Sequence, residues 1–288
     1  MKIYSFGDSF TQGLGTDRTT EHALLGGHPK WDTMTDEQKN IQRTKVAKFW
    51  IENSFTHMLA NKLECEYSNF GHNGSRNMDI VEMMMTHSHY FKKGDLVLIG
   101  WTSSLRDRIP FWPKQIKYKW IAPSQRVKNN HLLPEAKGAQ NVGISAESFL
   151  HDFKEEPNKE LKNGKEIHEF FKTFTKSWLV EGYQEKYYHL YNEQLIYFVQ
   201  KFLEYHGVKY IMFNAFEPML QSESTLINYK YYWTEGKESI WSLTQHNEDL
   251  LELRGWNTFE KYTPRHPSKM GHELFTQQLY KFYNKVHK

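Results

Sequence analysis

Four short apolar runs, Lys2–Phe6, Cys65–Phe70, Asp95–Gly100 and Val208–Phe213, alternate along the chain with stretches of helical periodicity. Their length and composition read as short strands. Between them, Ile51, Phe55, Met58, Leu59 and Leu63 recur at i, i+4, i+7, i+8 and i+12. Tyr191, Leu195, Phe198 and Phe202 recur at i, i+4, i+7 and i+11, with Gly207 placed to stop the helix. A further helix is predicted after Gly74 and a last one from Ser268 to about Val286, with Leu274, Leu279 and Phe282 to bury. Strands that alternate with helices predict a mostly parallel sheet covered by helices on both faces.

At 288 residues the chain reads as one large α/β domain. Apolar residues make up only 39%, but 16% are aromatic, and each aromatic ring buries about 150–250 Å², so a sizeable core is within reach. A mean hydropathy of −0.76 and the lack of an 18-residue apolar run argue against a membrane-spanning helix. The first residues turn acidic too soon for a secretory signal. The expected location is the cytoplasm. A lone cysteine, Cys65, forms no internal disulfide and no cysteine-based metal site.

Three stretches depart from the alternation. Residues 102–180 and 216–262, rich in Trp, Tyr, Lys or Pro, read as insertions at the strand-end face, and residues 11–45 read as a long irregular loop. The segment 101–130 holds seven Lys/Arg against the single acid Asp107, while the whole chain carries only +3. Its cations interleave with Trp101, Phe111, Trp112, Tyr118 and Trp120. The mixture fits a cationic lid with its aromatics turned inward, or a grip on an anionic glycan or phosphate-bearing substrate, with Trp101, Arg106 and Trp112 as contacts. Single-stranded nucleic acid is disfavoured, since no nucleic-acid motif accompanies the charge. His87 and His89 stand at i, i+2 on a predicted helix, which points their rings apart and disfavours a metal site.

Chemistry concentrates at the two ends. Gly7-Asp8-Ser9 follows the first strand directly, where a hydroxyl can stand at the carboxyl edge of a sheet. A turn with a capping serine is the plainer reading of the same string. Asp8 reads as a structural hydrogen-bonding group, because adjacent residues at a strand end point in different directions. His266-Pro267 lies in a loop just before the last helix and offers a base; it also reads as an ordinary loop into a helix.

Together these blocks resemble the SGNH (GDSL-type) hydrolase superfamily. Ser9 matches the family nucleophile, Gly74 in Asn69-Phe70-Gly71-His72-Asn73-Gly74 matches the oxyanion-hole glycine, and His266 matches the general base. Gly74-Ser75-Arg76-Asn77-Met78-Asp79-Ile80 and Gly100-Trp101-Thr102-Ser103 are similar to strings of a group found in phages and marine bacteria. The resemblance implies a flavodoxin-like three-layer α/β sandwich over residues 1–288, with the two aromatic-rich insertions. It implies no metal or other cofactor, and an oxyanion hole drawn from the N–H groups of Ser9 and Gly74.

Two positions depart from the family. Thr102 stands where an asparagine usually donates to the oxyanion, leaving Thr102 itself, Asn73 or Asn77 for that role. Thr263 stands where an aspartate usually orients the histidine, leaving Glu260, another acid, a backbone carbonyl or a bare Ser9–His266 dyad. The implied function is a serine esterase that removes an acyl group, acetyl above all, from a small-molecule or glycan ester. The alternatives are a non-catalytic binding or virion-associated module and an acyltransferase. No membrane partner is expected, self-association is left open, and the likeness to phage sequences adds a host cytoplasm or a virion to the expected locations.

Overall fold

The computed structural model describes residues 1–16, 33–72, 75–102, 107–109, 119–121, 185–216, 218–219, 224–251 and 266–288. Its elements are β1 (Lys2–Gly7), α1 (Ser9–Gln12), α2 (Asp36–Glu52), α3 (Phe55–Lys62), β2 (Glu66–Gly71), α4 (Asn77–His87), β3 (Leu96–Trp101), β4 (Asp107–Ile109), β5 (Lys119–Ile121), α5 (Glu185–Tyr205), β6 (Lys209–Asn214), α6 (Ile240–Thr244) and α7 (Lys269–His287), with short 3₁₀ turns between. Two compact units divide the chain. The first holds residues 1–104, 189–260 and 264–288, and the second holds residues 105–188 and 261–263. In the second unit, β4 and β5 pair antiparallel.

The first unit is an α/β fold around a parallel sheet in the order β2-β1-β3-β6. Each of its strands lies within one residue of its expected position. Buried side chains alternate along β1 and β3: Tyr4, Phe6, Val97 and Ile99 join one core, while Ile3, Leu96 and Leu98 join the other. The period of two sends neighbouring side chains to opposite faces. Ile80, Val81 and Met84 of α4 and Ile196, Val199 and Leu203 of α5 complete the first core. Phe55, Leu59 and Ala60 of α3 and Phe275, Leu279 and Tyr283 of α7 complete the second. Aromatic rings fill the second core edge to face: Phe55 meets Phe213 at 5.4 Å and Phe275 at 5.1 Å, and Trp233 meets Phe275 at 5.1 Å. Such pairs add about 0.5–1.5 kcal/mol each beyond their buried area.

Three local expectations are corrected. Residues 36–45, expected in an irregular loop, belong to α2, whose first turn is closed by a capping box between Thr35 and Gln38. The stripe from Ile51 to Leu63 spans two helices, because Ser54 caps a new helix by accepting the His57 N–H. On α5 the buried line is Asn192, Leu195, Ile196, Val199, Gln200 and Leu203, and Phe198 is exposed. The aliphatic side chains take the contact with the sheet, while Phe198 stacks beside Phe202 on the flank. Of residues 216–262, Tyr232, Trp233, Ile240 and Leu251 are buried, and the first three belong to the two sheet cores.

Candidate active site

The chain leaves β1 to form β2 on one side and β3 on the other, so the carboxyl edge between β1 and β3 is a topological switch point. Open parallel sheets bind ligands at such points. Ser9 stands there. Asp8 caps α1 with its carboxylate, Oδ1 accepting the Phe10 N–H at 3.0 Å, and Gly13 ends the helix with a left-handed φ of 94°.

α1 can lie across the strand ends because three adjacent strands carry glycine beneath it. Gly7 pairs with Gly71, and Gly100 follows Ile99, which pairs with Phe6. A Cβ on Gly7 would stand 2.0 Å from Thr11 Oγ1, one on Gly71 2.3 Å from the Gln12 nitrogen, and one on Gly100 2.6 Å from Thr11 Oγ1. Here the glycines supply clearance rather than backbone freedom. Asn69 ties the helix down from β2: its Nδ2 donates to the Thr11 carbonyl at 2.7 Å, and its Oδ1 accepts the Gly71 N–H at 2.8 Å.

His266 comes from the far end of the chain, 257 positions away, and its Nε2 lies 2.9 Å from Ser9 Oγ. The residues after it are clamped to the turn before Leu251. Ser268 N–H donates to the Leu250 carbonyl at 2.9 Å, Ser268 Oγ donates to the Asp249 carbonyl at 2.7 Å, and Pro267 bridges to Leu251. Gly271 permits that closeness, since a Cβ there would meet the Leu250 carbonyl at 2.4 Å. Phe10 packs against the imidazole with ring centres 5.4 Å apart and is itself backed by Phe216 at 4.4 Å. For Nε2 to take the serine proton, the ring must carry its own hydrogen on Nδ1.

Behind Ser9 is a buried polar cluster. Thr102 Oγ1 donates to Asp8 Oδ2 at 2.7 Å, and the Thr102 N–H donates to Asn77 Oδ1 at 2.9 Å. Asn77 Nδ2 donates to Asn192 Oδ1 at 3.0 Å and approaches the Thr102 carbonyl at 3.4 Å. Asn77 is the first residue of α4, a position set by Asp79, which accepts the Arg76 N–H at 3.1 Å and pairs with the Arg76 guanidinium at 3.0 Å. Thr102 and Asn77, expected as oxyanion donors, have their N–H and O–H groups engaged within the protein. A fully buried Asp8 carboxylate needs donors, and the Thr102 hydroxyl supplies one.

Trp101 is a second correction. Expected among substrate contacts, its ring is wholly enclosed in the core with Tyr232 and Met219, and its indole N–H has no partner among the described residues. Asn73, Gly74, Arg106, Trp112, Glu260 and Thr263 lie outside the described residues. His87 and His89 each bond a nearby backbone carbonyl through Nδ1, those of Met83 and Thr86, both at 2.9 Å. Among the described residues, no three potential metal ligands gather.

Two further buried polar residues carry no functional motif in the sequence. Asn192 is one; its only signal is a polar side chain on the apolar face of α5. His272 is the other. It is buried against Phe55, whose backbone N–H donates to His272 Nδ1 at 3.3 Å, and its Nε2 has no partner among the described residues. Burial, with a smaller effect from His266, pushes its imidazole down to about 3, so it stays neutral.

No protein-family model matches the sequence, and no curated protein matches it. Among solved structures, the chain is similar to a G-D-S-L family protein of proposed lipolytic function from Desulfitobacterium hafniense DCB-2, at 11% identity and a TM-score of 0.29 over 98% of each chain. A likeness that faint carries no argument about fold or chemistry, and nothing in the comparisons supports the resemblance to the phage and marine-bacterial group. Among the described residues, no helix is long and apolar enough to cross a membrane.

Proposed function

We propose that the protein is a serine-dependent ester hydrolase, with Ser9 as nucleophile and His266 as general base. The observation that carries this reading is the 2.9 Å approach of His266 Nε2 to Ser9 Oγ at the switch point of a parallel sheet. A hydroxyl is a weak nucleophile unless a base takes its proton as it attacks. Here the base lies within the range required for direct transfer.

In the proposed reaction, Ser9 Oγ bonds to the ester carbonyl carbon as its proton passes to His266 Nε2. The carbonyl oxygen becomes an oxyanion facing the Ser9 N–H, which heads α1 and has no acceptor within that helix. By resemblance, the Gly74 N–H is the second donor. Collapse breaks the bond to the alcohol oxygen, which leaves with the proton from His266 Nε2. Water then attacks the acyl-serine, giving one proton to His266, and the acid departs as Ser9 Oγ recovers its hydrogen. Asp8, Thr102 and Asn77 fit a supporting role behind the nucleophile. Small acyl esters, acetylated sugars among them, are the first substrates to try, on the likeness of the motifs to those of SGNH hydrolases.

A fluorophosphonate probe tests the reading. It should label Ser9, located by mass spectrometry, and the labelling should vanish in Ser9→Ala and fall sharply in His266→Ala. An intact, folded protein that stays unlabelled while cleaving esters at no measurable rate would overturn the proposal.

A further inference from the structure

We infer that Asn192, on helix α5, is a positioning residue for Ser9, acting through Asn77, Thr102 and Asp8. The inference rests on the ester-hydrolase reading for its kinetic consequence but not for its geometry. Asn192 is 2% exposed and Asn77 3%, and Thr102 and Asp8 are fully enclosed. Buried polar groups persist where they find partners. A buried asparagine on the same helix face as Leu195, Ile196 and Val199 therefore marks a specific bond rather than a chance substitution.

The direction of each bond can be read from the chemistry. The Thr102 N–H is a donor, so the atom of Asn77 facing it is the oxygen, at 2.9 Å. That choice turns the Asn77 amide NH₂ toward Asn192, whose own oxygen must then face it, at 3.0 Å. Thr102, held at its N–H, donates its hydroxyl to Asp8 Oδ2, and the other oxygen of Asp8 holds the Phe10 N–H. Ser9 stands between the two residues so joined, and Asp8 is gripped from β3 on one side and α1 on the other. Loss of the Asn192 oxygen leaves an enclosed amide donor on Asn77 without that acceptor. The least costly relief is a rotation of Asn77, which releases the Thr102 N–H and loosens the support of Asp8. Misplacement of a reacting group by about 1 Å costs on the order of a hundredfold in rate.

Asn192→Leu removes the acceptor at similar volume, Asn192→Ala removes it while leaving room for water, and Asn192→Asp keeps an oxygen toward Asn77. Two measurements are made on the full chain: ester hydrolysis resolved into kcat and KM, and amide hydrogen exchange at Thr102 and Phe10. We expect the Leu variant to lose tenfold or more in kcat with KM little changed, and Asp to recover a large part of the loss. Exchange at Thr102 and Phe10 should quicken in the Leu variant, while the core amides of Ile99 and Ile211 keep their protection. The Ala variant carries the same expectation should Leu fail to fold. A wild-type kcat in Leu and Ala, or unchanged exchange at Thr102 and Phe10, overturns the inference. If the wild-type protein neither labels nor hydrolyses esters, the hydrolase reading fails, and the exchange measurement alone decides whether Asn192 positions the Ser9 turn.

Discussion

Thr102 Oγ1 and Asp8 Oδ2 lie 2.7 Å apart, and this bond joins the end of β3 to the cap of the helix that begins with Ser9. Both residues are fully buried, so water cannot replace the donor if the hydroxyl is lost. Thr102→Val keeps the shape and removes the donor. It should lower stability by about 1–3 kcal/mol, the usual cost of taking one donor away from a buried acceptor. Thr102→Ser should restore most of it. Urea unfolding midpoints of the three proteins check the order, and a Val variant as stable as the parent would show that the bond contributes nothing.

Ser9 and His266 should behave as one unit. Single substitutions of either to Ala are expected to remove most ester hydrolysis, and the double variant should be little slower than either alone, because each residue is useless without the other. Rates that fall multiplicatively, each loss adding to the next, would show two independent contributions instead of a relay.

The glycines under α1 make a mechanical prediction. Gly71→Ala places a methyl group 2.3 Å from the Gln12 nitrogen, a backbone atom that cannot swing aside, so α1 itself must shift. Overpacking of this kind costs about 1–3 kcal/mol. The substitution lies in β2 and touches neither Ser9 nor His266, yet labelling of Ser9 by a fluorophosphonate should slow. Gly94→Ala is the control on space alone, since nothing lies near its Cβ position; its own cost comes from a left-handed φ of 89°.

His272 predicts sensitivity to acid. Its folded imidazole titrates at about 3 against an ordinary 6.5, so between those values the unfolded chain binds a proton that the folded one refuses. Above pH 6.5 both states are neutral and the group has no effect. As the pH falls below 6.5, stability falls with it, by ~1.4 kcal/mol per unit and so on the order of 2–3 kcal/mol at pH 4.5, and the loss levels off near pH 3. His272→Gln keeps an oxygen able to accept the Phe55 N–H and carries no proton to bind. Melting temperature followed from pH 7 to pH 4.5 should fall less steeply in this variant than in the parent, and parallel curves would remove His272 from the account.

Strand positions, the α/β class and the two ends that meet were legible in the chain, each for a local reason. Lys2–Gly7 and Leu96–Trp101 are short apolar runs, and such runs declare themselves through composition alone. Ser9 was marked by its place after a strand, and His266 by the helix that follows it. What could not be read locally were choices among near-equivalent neighbours. The sequence offers both Phe198 and Val199 to the sheet, and only packing against α4 and the strands put Val199 inside and left Phe198 exposed. Thr102 offered a hydroxyl to any partner in reach, and the fold placed the Asp8 carboxylate there first. Asn77 and Asn192 are 115 positions apart, and no local rule relates them; they meet because α4 and α5 cover the same face of one sheet. Periodicity and motif are properties of consecutive residues and survive in the bare chain, whereas the partner of a buried polar group is set by which distant elements the sheet brings together.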